Sequence, residues 1–438
     1  MIEPTALKRG TTRVGLVAYC SNGFQSVACS RLRKIEIRPY TTEDENNVFC
    51  IMADHKVIVF GGNHHNTLGV VRSLGEKHIF PYVFLVSTLK SSLVLKSRYL
   101  KEGKIFKGHE EALEYIIGHF SNETHKPVII CTSDQASSYV DLYYDRLREG
   151  FLFPNGGEQG RITSLMDKEK MINLATETGL NIAKSWTVTD NAVPRDIEYP
   201  CITKPLASIQ GSKADIKICR NNEELLDYFR QQREGSKIQV QKYIEKDFEY
   251  QLIGCSLKGG QQVIIPGFTT IIRSASTTNT GFLKYAPVSE LNYDAEKCIA
   301  FIRACNYSGL FSLEFIRGKD QADYFLEINF RNDGNAYTVT AAGMNLPYIW
   351  VLSLTGSSIR EEISREIKQT VMMPELVDIN HVLSRKISLK KWLKDVRTTD
   401  CFLYYHKEDK RPFYFQVRQT LLKIALYFPR AIFKKIFR

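Results

Sequence analysis

The chain has 438 residues, 43% hydrophobic and 24% charged, which is the balance of a soluble protein with full cores and length for two or three domains. No run of eighteen apolar residues occurs, which excludes a spanning helix at the sequence level. The formal charge of +11 is local: residues 385–438 carry fifteen Lys and Arg against four Asp and Glu, so the chain before them is neutral and a nucleic-acid-binding body is not indicated.

In chain order, residues 1–51 hold one candidate strand, Arg13–Cys20, and no supersecondary unit. They are expected to be an N-terminal extension, poorly ordered. They lack the basic start and apolar stretch of a secretion signal, and the ten cysteines of the chain are scattered without a CxxC pair. Both features fit a reducing cytosol rather than a disulfide framework or zinc site. From Met52 the pattern alternates. "KVIVF" reads as a buried strand, "GGNHHN" as a tight turn, "TLGVVRSLGEK" as an amphipathic helix and "YVFLVS" as a second strand. Glu110–Phe120 reads as a helix and "PVIICTSD" as a third strand. This βαβ order predicts a parallel sheet covered by helices over 52–160. The Gly61-Gly62 turn is not GxGxxG, and no acidic residue ends the second strand, so a dinucleotide site is rejected here. His64 and His65 could touch a ligand at that turn, but read most simply as polar loop residues. Asp134 and Gln135 follow the third strand, where such sheets carry ligands, although helix capping explains them equally well.

"SLMDKEKMINLATETGL" is a capped helix stopped at Gly179. The texture then changes. "YPCITKP" and "IKICR" are strands around the Gly/Ser-containing loop "LASIQGSKAD", and "NNEELLDYFRQQ" is a helix. "KIQVQKYI", "FEYQLIGCSL", "QQVIIPGFTTIIR", "GLFSLEFIRG" and "ADYFLEINF" are all strand-like, with Lys258-Gly259-Gly260 as a hairpin turn. An antiparallel region therefore follows a parallel one.

The chemistry-bearing residues cluster there. Glu327 and Asn329 stand two apart on "YFLEINF" and share a face. A turn at Arg317–Asp320 would pair this strand with "LFSLEF" and bring Glu314 beside Glu327. Two carboxylates and an amide oxygen form a hard set suited to Mg²⁺ shared with phosphates. Arg331 adds a cation two residues on, and a structural Glu327–Arg331 pair is the competing reading. Lys204 ends an apolar strand before the loop 206–213, a placement that can hold phosphates, and Lys168 stands in the first turn of its helix. Gln241 to Ile244 leave a strand for a short linker able to meet an adenine edge.

This order of motifs ("DK" at a helix start, "YPCITKP", "GSKADI", "VQKYI", "FEY", "SLEF", "LEINFR") resembles the ATP-grasp superfamily over roughly Met52 to Trp350. It is most similar to the carboxylate–amine ligase branch, with its carbamoyl-phosphate-synthetase-like and D-aspartate-ligase-like members. The resemblance implies an α/β and α+β chain: a parallel-sheet domain (52–160), then an ATP-grasp domain (161–355) with a lid at about 200–245 and an antiparallel central sheet, then a C-terminal region (356–438). It implies ATP with Mg²⁺ or Mn²⁺. Lys168 and Lys204 would contact phosphates under a loop containing Ser208, Gly211 and Ser212. Gln241, Tyr243, Ile244 and Glu249 would border the nucleotide. Glu314, Glu327 and Asn329 would bind metal, with Arg331 and Lys204 at the transferring group. Arg273, taken to lie on a polar loop, and Asn332 and Asn335 are candidate substrate residues. Biotin-carboxylase-type members have an acidic residue near the Asn335 position, and Asn335 cannot act as a base. The implied reaction joins a small-molecule carboxylate to an amine through an acyl phosphate, by analogy in cell-surface polysaccharide or amino-sugar and amino-acid conjugate synthesis. Two alternatives are an ATP-grasp small-molecule kinase and a non-catalytic nucleotide-binding protein at a membrane.

Past Asp409 no acidic residue occurs, and residues 410–438 mix cations with Leu, Ile and Phe. As a helix this segment is basic and amphipathic, interrupted at Pro429, and suits an anionic membrane surface. A helix packed on the body with a basic outer face is the competing reading. The expected location is the cytoplasm, with the tail at the inner membrane face, and no nucleic-acid partner.

Overall fold

A computed structural model describes residues 55–188, 193–194, 196–205, 217–232, 238–275 and 280–422, with Lys204 and Pro205 described by their backbone alone. The N-terminal extension, the loop with Ser208, Gly211 and Ser212, and the last sixteen residues lie outside it.

The first sheet is parallel, because each strand returns through a helix or long crossover. It comprises β1 (Val57–Gly62), β2 (Tyr82–Val86), β3 (Glu102–Phe106) and β4 (Val128–Cys131), in the order β3-β2-β1-β4. β1 is central, and its Val57–Phe60 run is buried on both faces, beneath α1 (His65–Gly75) and between α2 (His109–Phe120) and α3 (Asp134–Leu142). β3 has no apolar run to announce it. It is an edge strand with one buried residue, Phe106, and pairing with β2 rather than burial defines it. Gly61 marks a close approach: a Cβ there would fall 2.1 Å from Thr132 Oγ1 of the neighbouring strand end.

After α4 (Lys168–Glu177), capped by the Asp167 carboxylate, comes a small four-stranded sheet. Its strands are β5 (Ser185–Val188), β6 (Cys201–Pro205), β7 (Lys217–Cys219) and β8 (Ile238–Lys242), ordered β5-β8-β6-β7, with α5 (Asn222–Arg230) packed on it. Three residues then lead from β8 into the main sheet.

The main sheet has seven strands in the order β13-β12-β9-β10-β11-β14-β15. β9 (Lys246–Leu257) and β10 (Gln262–Arg273) form a hairpin whose turn residues Lys258, Gly259 and Gly260 all take positive φ. β11 (Phe282–Pro287) follows. α6 (Ala295–Ala304) precedes β12 (Gly309–Gly318), which pairs with both β9 and β13 (Asp323–Asn329). The C-terminal region extends the same sheet through β14 (Thr370–Met373) and β15 (Cys401–Phe402). One continuous core joins Val57 and Val59 of the first sheet to Leu283, Met372 and Trp350 of α7 (Leu346–Leu354). The two large sheets are thereby held as one body, with a cleft between the C-terminal ends of the parallel strands and one face of the main sheet. Among the described residues no helix is long and apolar enough to cross a membrane.

Candidate active site

The cleft has a volume of about 530 Å³. Its floor is a row of side chains across four strands. Glu327 of β13 is paired in register with Glu314 of β12, Glu314 with Gln251 of β9, and Gln251 with Thr269 of β10. All four line the cleft. Because successive residues of a strand alternate faces, the next residues on the same side, Ser312 and Asn329, are also paired with one another. A bulge between Glu314 and Phe315 lies directly beside the paired carboxylates, a device that re-aims side chains at the end of a ladder.

These groups are crowded and incompletely neutralised. The Glu314 carboxyl is pushed up to about 8, first by desolvation in the cleft floor, then by the carboxylates of Glu327 and Asp333. Its Oε1 accepts hydrogen bonds from Gln251 Nε2 and Asn329 Nδ2, both at 3.2 Å. Asp333 Oδ2 accepts from Gln251 Nε2 at 3.0 Å and from Ser312 Oγ at 3.1 Å. Two carboxyl groups facing each other in one row, with a third nearby, crowd like charge, and Glu314 answers that crowding and its burial by keeping its proton at pH 7. The described residues contain no group of three His, Cys, Asp and Glu positioned for a metal. The fit is instead to two carboxylates and one amide, the incomplete oxygen set of a cation that takes its other ligands from phosphate and water. Asn329 Oδ1 accepts from Arg331 Nη2 at 3.0 Å, which leaves its second lone pair for a cation.

Arg331 leaves the end of β13 and spans the cleft. Its Nε donates to Asp134 Oδ1 at 2.9 Å and its Nη1 to Asp333 Oδ2 at 3.3 Å. It is paired with Asp134 and Asp333, not with Glu327. Asp134 stands at the start of α3, where the Ser133 hydroxyl provides the cap. The opposite wall is the start of α1. His64 and His65 line the cleft instead of standing free in a loop, and burial holds both near 4, so both are neutral at pH 7. His65 Nε2 lies 3.0 Å from Thr280 Oγ1.

Asn335 has a fixed orientation. The carboxylates of Glu314 and Asp333 draw the Nε2 of Gln251 toward themselves, so Gln251 Oε1 faces away and accepts from Asn335 Nδ2 at 3.0 Å. That leaves Asn335 Oδ1 buried and without a hydrogen-bond partner at the cleft wall. A buried acceptor of this kind lacks a donor.

Other predicted residues fall elsewhere. Glu249 lines the cleft and its carboxylate takes Lys246 Nζ at 2.8 Å. Gln241 is buried in β8, and Tyr243 and Ile244 form part of the link to β9. The Tyr243 N–H is engaged by the Pro200 carbonyl at 2.9 Å, so it is not open to a base edge. Lys168 begins α4, half-buried and outside the cleft lining. The Lys204 backbone pairs with Gln239 in the small sheet. Ser208, Gly211 and Ser212 are outside the described residues.

Two substrate expectations are corrected. Arg273 ends β10 instead of lying on a loop. Its guanidinium is bound by Asp378 at 2.6 and 2.9 Å and by Asp395 at 2.8 Å, and it does not line the cleft. Asn332 is a strut: its amide and carbonyl bond Asn66, and its N–H bonds the Cys131 carbonyl, fixing the loop after β13 to the parallel sheet. Sequence reasoning passed over Gln251, whose importance depends on cross-strand neighbours, and set His64 and His65 aside.

Residues 167–354 match the family described as carbamoyl-phosphate synthase L chain, ATP binding domain. No curated protein sequence matches the chain significantly. Among solved structures, N5-carboxyaminoimidazole synthetase from Staphylococcus aureus is similar, with a TM-score of 0.58 and 15% identity over 75% of this chain and 85% of its own. Biotin carboxylase from Campylobacter jejuni gives 0.56 and 16% over 72% and 74%. L-amino acid ligase from Bacillus licheniformis gives 0.51 and 13% over 72% and 75%. At these identities the likeness is one of fold. The ATP-binding match over residues 167–354, the element order and the fold of the structural neighbours all agree with the ATP-grasp resemblance read from the sequence.

Proposed function

We propose that this protein joins a small-molecule carboxylate to an amine at the expense of ATP, through an acyl phosphate. The observation that carries this reading is the in-register Glu314–Glu327 pair, with Glu314 pushed up to about 8 beside Arg331. Buried like charges are costly, and a site that concentrates them fits a cation and a polyphosphate. Glu314, Glu327 and Asn329 would hold Mg²⁺, which when bound neutralises charge between the phosphate oxygens.

In the first step a carboxylate oxygen of the substrate attacks the γ-phosphorus. The bond to the ADP oxygen breaks, leaving an acyl phosphate and ADP. Arg331, held by Asp134 and Asp333, aims its guanidinium at the transferring group. Lys168, Lys204 and the loop with Ser208, Gly211 and Ser212 are proposed to hold the phosphates, and Gln241, Ile244 and Glu249 to border the nucleotide. In the second step the amine nitrogen attacks the acyl carbon and the carbon–oxygen bond to phosphate breaks. The departing phosphate takes the amine proton, so no protein base is required.

Asn335 supports an amine acceptor. Its partnerless Oδ1 calls for an N–H donor, and an amide is no base for bicarbonate chemistry. Hydroxylamine offered in place of the amine should yield a hydroxamate that depends on both ATP and the carboxylate. A stable phosphorylated product with no hydroxamate would instead identify a kinase. The substrate pair itself, with a cell-surface sugar or amino-acid conjugate as the family analogy, is the part of the proposal that a substrate panel decides.

A further inference from the structure

The charge excess of the chain lies in residues 385–438, and the structure shows how its described part is displayed. α8 (Leu389–Arg397) is capped by Ser388 and has no buried residue. It is held to the body on one side only. There Asp395 binds Arg273 at 2.8 Å, and Trp392 is half-buried. The outward side carries Leu389 and Leu393, 53% and 44% exposed, among the exposed Lys386, Lys390, Lys394 and Arg397. Leu383, just upstream, is 74% exposed. Between Leu383 and Arg397 the sequence has five cations besides Arg397 and one carboxylate, and that carboxylate is Asp395, turned inward onto Arg273. Asp395 also takes Lys391 at 3.6 Å, and among the described residues no carboxylate pairs with Lys386, Lys390, Lys394 or Arg397.

A second helix repeats the arrangement. Residues 411–422 are helical, and Phe413 and Phe415 pack against the core. Tyr414, Leu421 and Leu422 are exposed alongside Arg411 and Arg418. The sequence beyond, 423–438, adds five cations and no acid. Two helices of one charged region thus each present leucines among cations to solvent.

We propose that the outward faces of α8 and of the 411–422 helix are a docking surface for an anionic lipid bilayer. The two features select this occupant together. Cations alone would suit any polyanion, including a nucleic acid. Exposed leucines within the same faces are satisfied by an interface that buries apolar side chains just below a layer of negative headgroups. The opposing face of α8 is fixed to the body through Asp395, so the helix is presented ready-made, without ordering on contact. The inference does not depend on which reaction the cleft performs.

The test is sedimentation of the full chain with vesicles of phosphatidylserine in phosphatidylcholine, against phosphatidylcholine alone, at low and high salt. Wild type is expected to sediment with the anionic vesicles at low salt and to be released by high salt. Each cation near such a surface strengthens binding about fivefold, so Lys390→Glu with Lys394→Glu should weaken it at least about 20-fold. Leu389→Ser with Leu393→Ser should weaken it about tenfold with the charge unchanged. All four positions are exposed, so folding is not at risk, and circular dichroism checks this. The proposal is overturned if wild type stays in solution, if the leucine pair can be replaced without loss, or if a single-stranded oligonucleotide displaces the vesicles through the same residues.

Discussion

Two buried charged clusters among the described residues invite comparison, the Arg72–Asp409 pair and the cleft floor. Arg72 of α1 and Asp409 are both fully buried, and every group is engaged. Arg72 donates to Asp409 Oδ2 at 3.1 Å and to the carbonyls of Leu403, Tyr404 and Asp409 at 3.1, 2.8 and 3.1 Å. Asp409 also accepts from Ser97 Oγ and from the Arg98 N–H, both at 2.9 Å. This cluster fastens the C-terminal region to the first sheet. The cleft cluster has facing carboxylates, a glutamic acid pushed up to about 8 and an amide oxygen with no partner. The difference teaches what to test: the saturated cluster is placed to hold the fold, and the unsaturated one is the cluster proposed to take a ligand.

The comparison can be broken most sharply at Glu327. Glu327→Ala should lower ADP release by at least about 100-fold without lowering the melting temperature, because it relieves like-charge crowding. Loss of folding would make the pair structural. The reverse behaviour is expected of Arg72→Met, which leaves Asp409 buried and unpaired. It should cost about 3–5 kcal/mol in urea unfolding while ADP release per folded molecule persists. Unchanged stability would contradict the anchoring role.

Glu375 sharpens the same comparison through pH. It stands beside the anchor, accepting from the Tyr404 and Tyr405 N–H groups, and desolvation pushes it up to about 7. Since its folded value exceeds the ordinary 4.5, the folded state binds the extra proton between the two values. Stability from this group is therefore full below about 4.5 and is lost as pH rises through about 7. Unfolding curves of wild type and Glu375→Gln should diverge across that window by on the order of 2 kcal/mol, and parallel curves would remove the assignment. The smallest effect is expected at Asn335. Asn335→Ala should raise the KM for the amine about tenfold and leave the KM for ATP unchanged. An equal change in both would mean that the residue serves only packing.

What the sequence made legible follows from distance along the chain. Glu314 and Glu327 belong to one hairpin, so a period of two and a short turn predict their meeting, and the structure pairs them. The parallel alternation from Val57 was readable for the same reason, since buried strands carry apolar runs. β3 was missed because an exposed edge strand has no such run, and β14 and β15 because they join the sheet from far downstream. Arg273 was misread because its partners stand 105 and 122 residues away. Gln251 carries no charge to announce it. Its orientation is imposed by Glu314 and Asp333, which only the folded sheet brings to it.

The central claim is that the unsaturated cluster turns over ATP on behalf of two substrates. It is tested most directly by ADP release with Mg²⁺ and ATP over a panel of amino acids and uronic-acid sugars, wild type beside Glu327→Ala. The account predicts turnover that requires both a carboxylate and an amine and that disappears in the variant. Equal turnover in the variant, or ATP consumption indifferent to any amine, would contradict it.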